Sequence, residues 1–279
     1  MSEAARRLRE SIEGSRTVLA PFVYDALQAK IAEAAGFEAV YMTGFGTAAA
    51  RGYPDLGLLT MTEMVNNVRS IARAVKIPVI CDADTGYGNP INVARTVAEY
   101  EDAGAAALHI EDQVWPKRCG YLSGKEVIPI DQMIPKVRAA CDARSDSDLV
   151  IIARTDSLQP NGWDDAERRA RAYRDAGADL IFVDGIRNLE ELDTYSKRLG
   201  DLPLLYNGQL LKAAELAQRG FRVVIHSGTL GIAYSAMRDA MRDLRETGQI
   251  RDDDGARSFG ELIELLGVRE TLEGAKKYD

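Results

Sequence analysis

The chain has 279 residues, 46% of them hydrophobic and 28% charged, with a formal net charge of -8. That length can bury the core of one large barrel-type domain, and acidic residues spread along the chain exclude a basic nucleic-acid footprint or membrane surface. Cys81, Cys119 and Cys141 are odd in number and lack CxxC spacing, which excludes a disulfide framework and a zinc site and points to a reducing cytoplasm. The opening SEAARRLRESIEGS is charged, helical in pattern and without an apolar signal region, so secretion is not expected. No apolar stretch approaches the ~18 residues of a membrane span.

In chain order, short β-branched or apolar runs fall at 18–25, 39–45, 78–84, 107–112, 149–156, 180–185, 203–207 and 221–228. Between them lie stretches with helical apolar spacing, such as MTEMVNNVRSIARAV, INVARTVAEYEDA and DAERRARAYRDA. AAGFEAVYMTG, DAGAAALHIED, DAGADLIFVDG and QRGFRVVIHSG each place a helix-ending Gly shortly before a buried strand, so one αβ unit is being repeated. Parallel strands alternating with helices in this number close most simply as an α/β (β/α)8 TIM barrel, with catalytic groups at the carboxyl ends of the strands. The helix TLGIAYSAMRDAMRDLRETG, a polar turn QIRDDDGA and a helical tail from Phe259 then exceed what a barrel needs. The expectation is a single domain over 1–279, with 229–279 a helical extension for oligomer contacts.

The run from Cys81 to Lys125 is where chemistry concentrates. Alternation along a strand would send Asp82 and Asp84 to one side just before a glycine-rich loop, and Glu111 closes the next strand. Two adjacent carboxylates repel and call for a cation. A third oxygen nearby suits magnesium, which takes hard oxygen ligands and keeps waters in its shell, with manganese as an alternative. His109 reads as a hydrogen-bonded barrel residue rather than a ligand, and His226 likewise. Cys81 and Cys141 read as packing, RDDD at 251–254 as a solvated turn, and Trp115 as a lid or subunit contact.

DADTGYGN, IEDQVWPKRCGY and IIARTD resemble the isocitrate lyase and phosphoenolpyruvate mutase superfamily, in particular its short carbon-carbon lyases of the methylisocitrate and 2,3-dimethylmalate type. YMTGFGTAAARGYPDLGLLT looks like that family's oxyanion-binding loop followed by its aspartate-bearing gating loop. The resemblance implies a magnesium-dependent lyase acting on a substituted malate or other 2-hydroxy di- or tricarboxylate, giving an α-keto acid and a carboxylate. It also implies a homotetramer with a terminal helix swapped between barrels. By position, Asp82, Asp84 and Glu111 would surround the metal, and Arg154 would grip a substrate carboxylate. Tyr41, Thr43, Gly44 and Phe45 would cradle its oxygens, and Asp55 would ride the gating loop. Cys119 would donate a proton to the departing enolate, with Lys117 and Arg118 lowering its pKa and Gly120 letting the loop fold over.

The chain departs from the lyases where Tyr121 follows KRCG in place of His, where Asp184 stands for a glutamate, and where Gly208, Gln209 and Leu210 follow Asn207 in place of a Thr-Glu segment. These positions line the expected substrate site, so recognition of the distal carboxylate is expected to differ from that of the methylisocitrate lyases, which leaves room for a different acid. The alternatives are an oxaloacetate-type decarboxylase or hydrolase and a carboxyphosphonoenolpyruvate-type phosphonomutase. Either would depend less on the thiol. No nucleic-acid or membrane partner is expected.

Overall fold

The computed structural model describes residues 2–14, 16–120, 122–250 and 255–278. Tyr121 and the 251–254 charge run therefore lie outside the described residues. The strands are β1 (Val18–Val23), β2 (Val40–Met42), β3 (Val79–Asp82), β4 (Ala107–Glu111), β5 (Val150–Thr155), β6 (Leu180–Val183), β7 (Leu204–Asn207) and β8 (Phe221–His226). They pair in sequence order, all parallel, with β1 returning to β8 to close the barrel. Each of the eight expected runs thus became a strand.

The repeated glycines explain how the chain enters those strands. Gly36, Gly104, Gly177 and Gly220 have φ of 85°, 98°, 112° and 84°, the left-handed conformation that ends a helix and that glycine adopts without Cβ strain. Behind each strand the outward side chains pack on helices. Val79, Cys81, Leu108, Ile110, Ile151 and Val183 belong to this layer, which makes Cys81 a packing residue, and Cys141 packs against its edge. Inside the barrel an aromatic column runs from Phe22 to Tyr41 (ring centroids 4.7 Å apart), His109 (5.8 Å) and Phe182 (5.8 Å).

One buried ion ties the upper rim together. Asp112, just past β4, accepts hydrogen bonds through Oδ1 from the Asp156 amide (2.9 Å), and through Oδ2 from Thr155 Oγ1 (2.8 Å), Tyr173 Oη (2.7 Å) and an Arg169 Nη (3.1 Å). It thereby joins the ends of β4 and β5 to the helix Trp163–Asp175. Removing one partner of such a buried network leaves the others desolvated and unpaired. Asp112→Ala should therefore lower unfolding stability by about 3–5 kcal/mol, measured from urea midpoints; a change below about 1 kcal/mol would refute this role.

The chain divides into two compact units, 1–229 and 230–279. The second unit takes most of the helix Gly228–Thr247, followed by the helices Gly255–Leu265 and Val268–Ala275. Ile232, Tyr234, Met237, Met241 and Leu244 are exposed along the first of these. No described helix is long and apolar enough to cross a membrane.

Candidate active site

The site is built where strand pairing sets residues side by side at the carboxyl rim. Asp82 lies opposite His109 in the β3–β4 register, and Glu111 opposite Arg154 in the β4–β5 register. Asp82, Asp84, Glu111, Arg154 and Asp184 are all at least nine-tenths buried, with exposures of 5%, 3%, 1%, 7% and 5%.

Among the strands that stop short of their expected ends, the second and third shape the site. The second ends at Met42 because Thr43 caps the helix Gly44–Ala50, its hydroxyl accepting from the Gly46 amide at 3.3 Å. Gly44 and Phe45 are thus the first helical turn, and the Gly44 amide donates to Asp82 Oδ2 at 3.1 Å. A Cβ on Gly44 would overlap that carboxylate, so only glycine allows this approach. Phe45 is 46% exposed, which leaves its side chain at the surface rather than in a cradle. The third strand ends at Asp82, and Asp84 turns inward with φ 47° while its amide donates to Asp82 Oδ1 at 3.0 Å. Both carboxylates do enter the site, but a turn and not strand alternation brings Asp84 there.

Protein cations neutralise these acids. Lys117 Nζ lies 2.5 Å from Asp55 Oδ1 and 2.8 Å from Asp84 Oδ1. Arg154 forks onto Asp156 (Nε to Oδ2 2.9 Å, Nη2 to Oδ1 3.0 Å), reaches Glu111 Oε2 and Asp184 Oδ2 at 3.2 Å each, and stands over the Phe182 ring at 5.1 Å. Lys125 Nζ bridges Asp156 (2.8 Å) and Asp184 (3.2 Å) and donates to the Gly120 carbonyl at 3.1 Å. Burial raises the Asp84 carboxyl to about 6 despite Lys117, with Asp82 adding like charge. Burial also pushes Asp82 upward, yet His109, Lys117 and Arg154 together bring it down to about 2. Glu111 is held well above the carboxylate range, chiefly by burial. Burial lowers His109 to about 4, so its imidazole is neutral; it shares a 2.7 Å hydrogen bond with Tyr41 Oη. This is the hydrogen-bonded role expected of His109, and it commits the Tyr41 hydroxyl to the barrel interior.

The expected metal triad is therefore not a preformed cage. Among the described residues no three His, Cys, Asp or Glu side chains are grouped to hold a metal ion, because Lys117 and Arg154 draw Asp84 and Glu111 to themselves. The donor chemistry nevertheless fits a hard cation. The three acids supply only oxygen, and Glu111 Oε1 is buried without a hydrogen-bond partner. An ion that keeps part of its water shell suits such a set.

Lys117, expected to activate Cys119, instead spends its charge across Asp55 and Asp84. Arg118 is exposed, and its backbone is clasped by the Gln113 side chain at 2.9 Å on both the amide and the carbonyl. Cys119 itself is 8% exposed, and its amide donates to the Asp55 carbonyl at 3.1 Å. Asp55 thus holds the cysteine loop twice, through Lys117 and through this backbone bond. Next along, Gly120 lies so close to the rim that a Cβ there would overlap Asp184 Oδ2 and crowd Arg154 Nη2 at 3.1 Å. Gly120→Ala should hold the loop off the mouth and lower kcat/KM by about 10²-fold with the melting temperature little changed; wild-type kinetics in that variant would disprove the close packing. Asn207 ends β7 with its Oδ1 buried and without a hydrogen-bond partner among the described residues. His226 lies at the end of β8 and accepts from the Gly228 amide at 3.2 Å.

Lys125 and Asp112 went unrecognised in the sequence, where a lysine in a polar loop reads as solvated. Asp156 is legible as a partner for Arg154 two residues before it, and the structure shows that pair at 2.9 and 3.0 Å. Where the loop comes to rest then sets Lys125 against Asp156 and Asp184.

A family model described as phosphoenolpyruvate phosphomutase matches residues 8–245. The 2,3-dimethylmalate lyase of Eubacterium barkeri is 40% identical over 284 residues, covering 98% of each chain. A solved oxaloacetate acetylhydrolase, in complex with 3,3-difluorooxalacetate, superposes with TM-score 0.93 at 39% identity, covering 99% of this chain and 97% of that one. A phosphonopyruvate hydrolase complex with oxalate and Mg++ gives TM-score 0.90 at 34% identity and 99% coverage of each chain.

Proposed function

From the premise that this chain belongs to the phosphoenolpyruvate phosphomutase and isocitrate lyase superfamily, we propose that it is a carbon-carbon lyase. It would cleave a substituted malate or other 2-hydroxy di- or tricarboxylate, of the dimethylmalate or methylisocitrate type, to an α-keto acid and a second carboxylate. The observation that carries this reading is the seating of the cysteine loop. Cys119 hangs from the Asp55 carbonyl at 3.1 Å while Gly120 packs onto Asp184 and Arg154, which puts a thiol beside an anion-binding rim.

Each group then has a task. Arg154, whose Nε and Nη2 are taken by Asp156, Glu111 and Asp184, offers Nη1 to a substrate carboxylate. Thr43 and the Gly44 turn bound the keto-acid end, and Asn207 Oδ1 accepts a hydroxyl from the substrate. The 2-hydroxyl gives its proton to an ionised carboxylate of the rim, its oxygen becomes the keto group as the carbon-carbon bond breaks, and the bond electrons pass to the carbon alpha to the departing carboxylate; Cys119 supplies the proton that quenches them once the loop excludes water. Asp82, Asp84 and Glu111 would hold magnesium, or manganese in its place. When bound, that ion polarises the oxygen at which negative charge develops.

The Gly208–Leu210 segment and the tethered Asp184 concern the distal end of the substrate. An NMR survey of methylisocitrate, dimethylmalate, citramalate, oxaloacetate and phosphonopyruvate, each with and without magnesium, tests the reading. Cleavage of a malate-type acid that needs magnesium supports the lyase. Activity confined to oxaloacetate or phosphonopyruvate, and unchanged in Cys119→Ser, rejects it in favour of a hydrolase or mutase.

The 230–279 helices serve as oligomer contacts in this reading, supported by the exposed apolar stripe from Ile232 to Leu244. The homotetramer that the family resemblance implies is part of this proposal, with light scattering as its check; a monomer at micromolar concentration would remove it.

A further inference from the structure

A second chamber of about 880 Å³ lies within the barrel unit, and its wall includes none of the mouth carboxylates, Arg154 or Cys119. Its volume is that of small-molecule sites, which bury an apolar ligand body around a few placed polar groups. Leu58, Met61, Tyr87, Trp115 and Ile128 supply the apolar surface. Tyr87 and Trp115 meet edge to face with ring centroids 6.4 Å apart.

Lys136 also lines this chamber. It stands on the buried face of the helix Ile130–Ala143, beside Met133 and Val137, and is 6% exposed. Lys117 and Lys125, equally buried, each bridge two carboxylates. Lys136 makes no hydrogen bond or ion pair with a described residue; Glu111 and Asp112 act on it only at longer range. Burial lowers the Lys136 pKa, with Glu111 and Asp112 acting against that shift, and a part-buried ammonium without a close counter-ion favours an anion beside it. The chamber therefore offers an apolar slot with one unneutralised cation in its wall. The exposed Asp131 also lines it and would repel a second negative charge on a ligand.

We propose that this chamber is a binding site for a small monocarboxylate with a flat apolar body, the carboxylate on Lys136 Nζ and the body against Trp115 and Tyr87. Gly57 lines the same wall, and a Cβ built on it would meet the Trp115 ring at 3.0 Å. A ligand here would thus touch the two segments that carry Asp55 and Lys117. The inference does not depend on the lyase reading, since its readout is binding.

The test is a ligand-observed NMR titration of the full chain with 3-phenylpropanoate, with 3-phenylpropan-1-ol as the uncharged control. Saturable binding of the acid is expected, retained in Arg154→Met and weakened about tenfold or more in Lys136→Met, with the alcohol indifferent to that change. Gln132→Trp, at an exposed chamber-lining position, should block both compounds and leave turnover unchanged, and this arm decides the matter should Lys136→Met not fold. Absence of saturable binding, its loss in Arg154→Met, or equal binding to the wild type and Gln132→Trp would overturn the assignment.

Discussion

Cys119→Ser should lower kcat by about 10²–10⁴-fold, the range carried by a positioned general acid, while KM for the cleaved acid changes little. The hydroxyl keeps nearly the shape of the thiol, and the backbone bond from residue 119 to the Asp55 carbonyl survives, so the loop should still close. What is lost is a thiol proton, which departs far more readily than that of an aliphatic hydroxyl. A diagnostic corollary concerns the reverse direction. The variant should still bind the α-keto acid product yet fail to exchange solvent deuterium into the carboxylate product at the wild-type rate. Undiminished exchange would show that another group carries the proton, and the lyase mechanism as drawn would fail.

Asp84→Ala should reduce turnover by about 10³-fold or more, since it removes one of the carboxylates that would hold the cation offsetting charge on the developing oxyanion. A misfolded chain is separable from a disabled one, because Lys117 would retain Asp55 at 2.5 Å as its counter-ion. The melting curve should therefore stay cooperative, with a modest shift. Water-proton relaxation with Mn²⁺ should report a matching loss of metal affinity. Full activity together with unchanged Mn²⁺ binding would remove Asp84 from the site. Lys117→Met offers the complementary case. With the ammonium gone, Asp82 and Asp84 have no protein cation from the cysteine loop between them, so metal affinity should rise even as loop closure suffers.

These outcomes hinge on a switch of partners that no motif reveals. DADTGYG and IEDQ announce acids at strand ends, and KRCG announces a cysteine loop. That Lys117 spans Asp55 and Asp84, or that Lys125 clamps the Gly120 carbonyl to Asp156 and Asp184, depends on where separate loops come to rest. Loop residues carry no periodicity, so their neighbours cannot be read from spacing.

The sequence by itself determined the barrel. Short strands buried on both faces, helices of 3.6-residue spacing and the four left-handed glycines are local consequences of backbone sterics and apolar patterning, and they leave one simple closure. It also determined that Asp82, Asp84, Glu111 and Arg154 gather at the carboxyl rim, because strand direction fixes which end each occupies. The tertiary structure alone decided how charge is shared there. The Asp112 hub and the unpartnered Lys136 arise from side chains distant in sequence meeting in a desolvated interior, where each ion must find an opposite charge or leave a place for one.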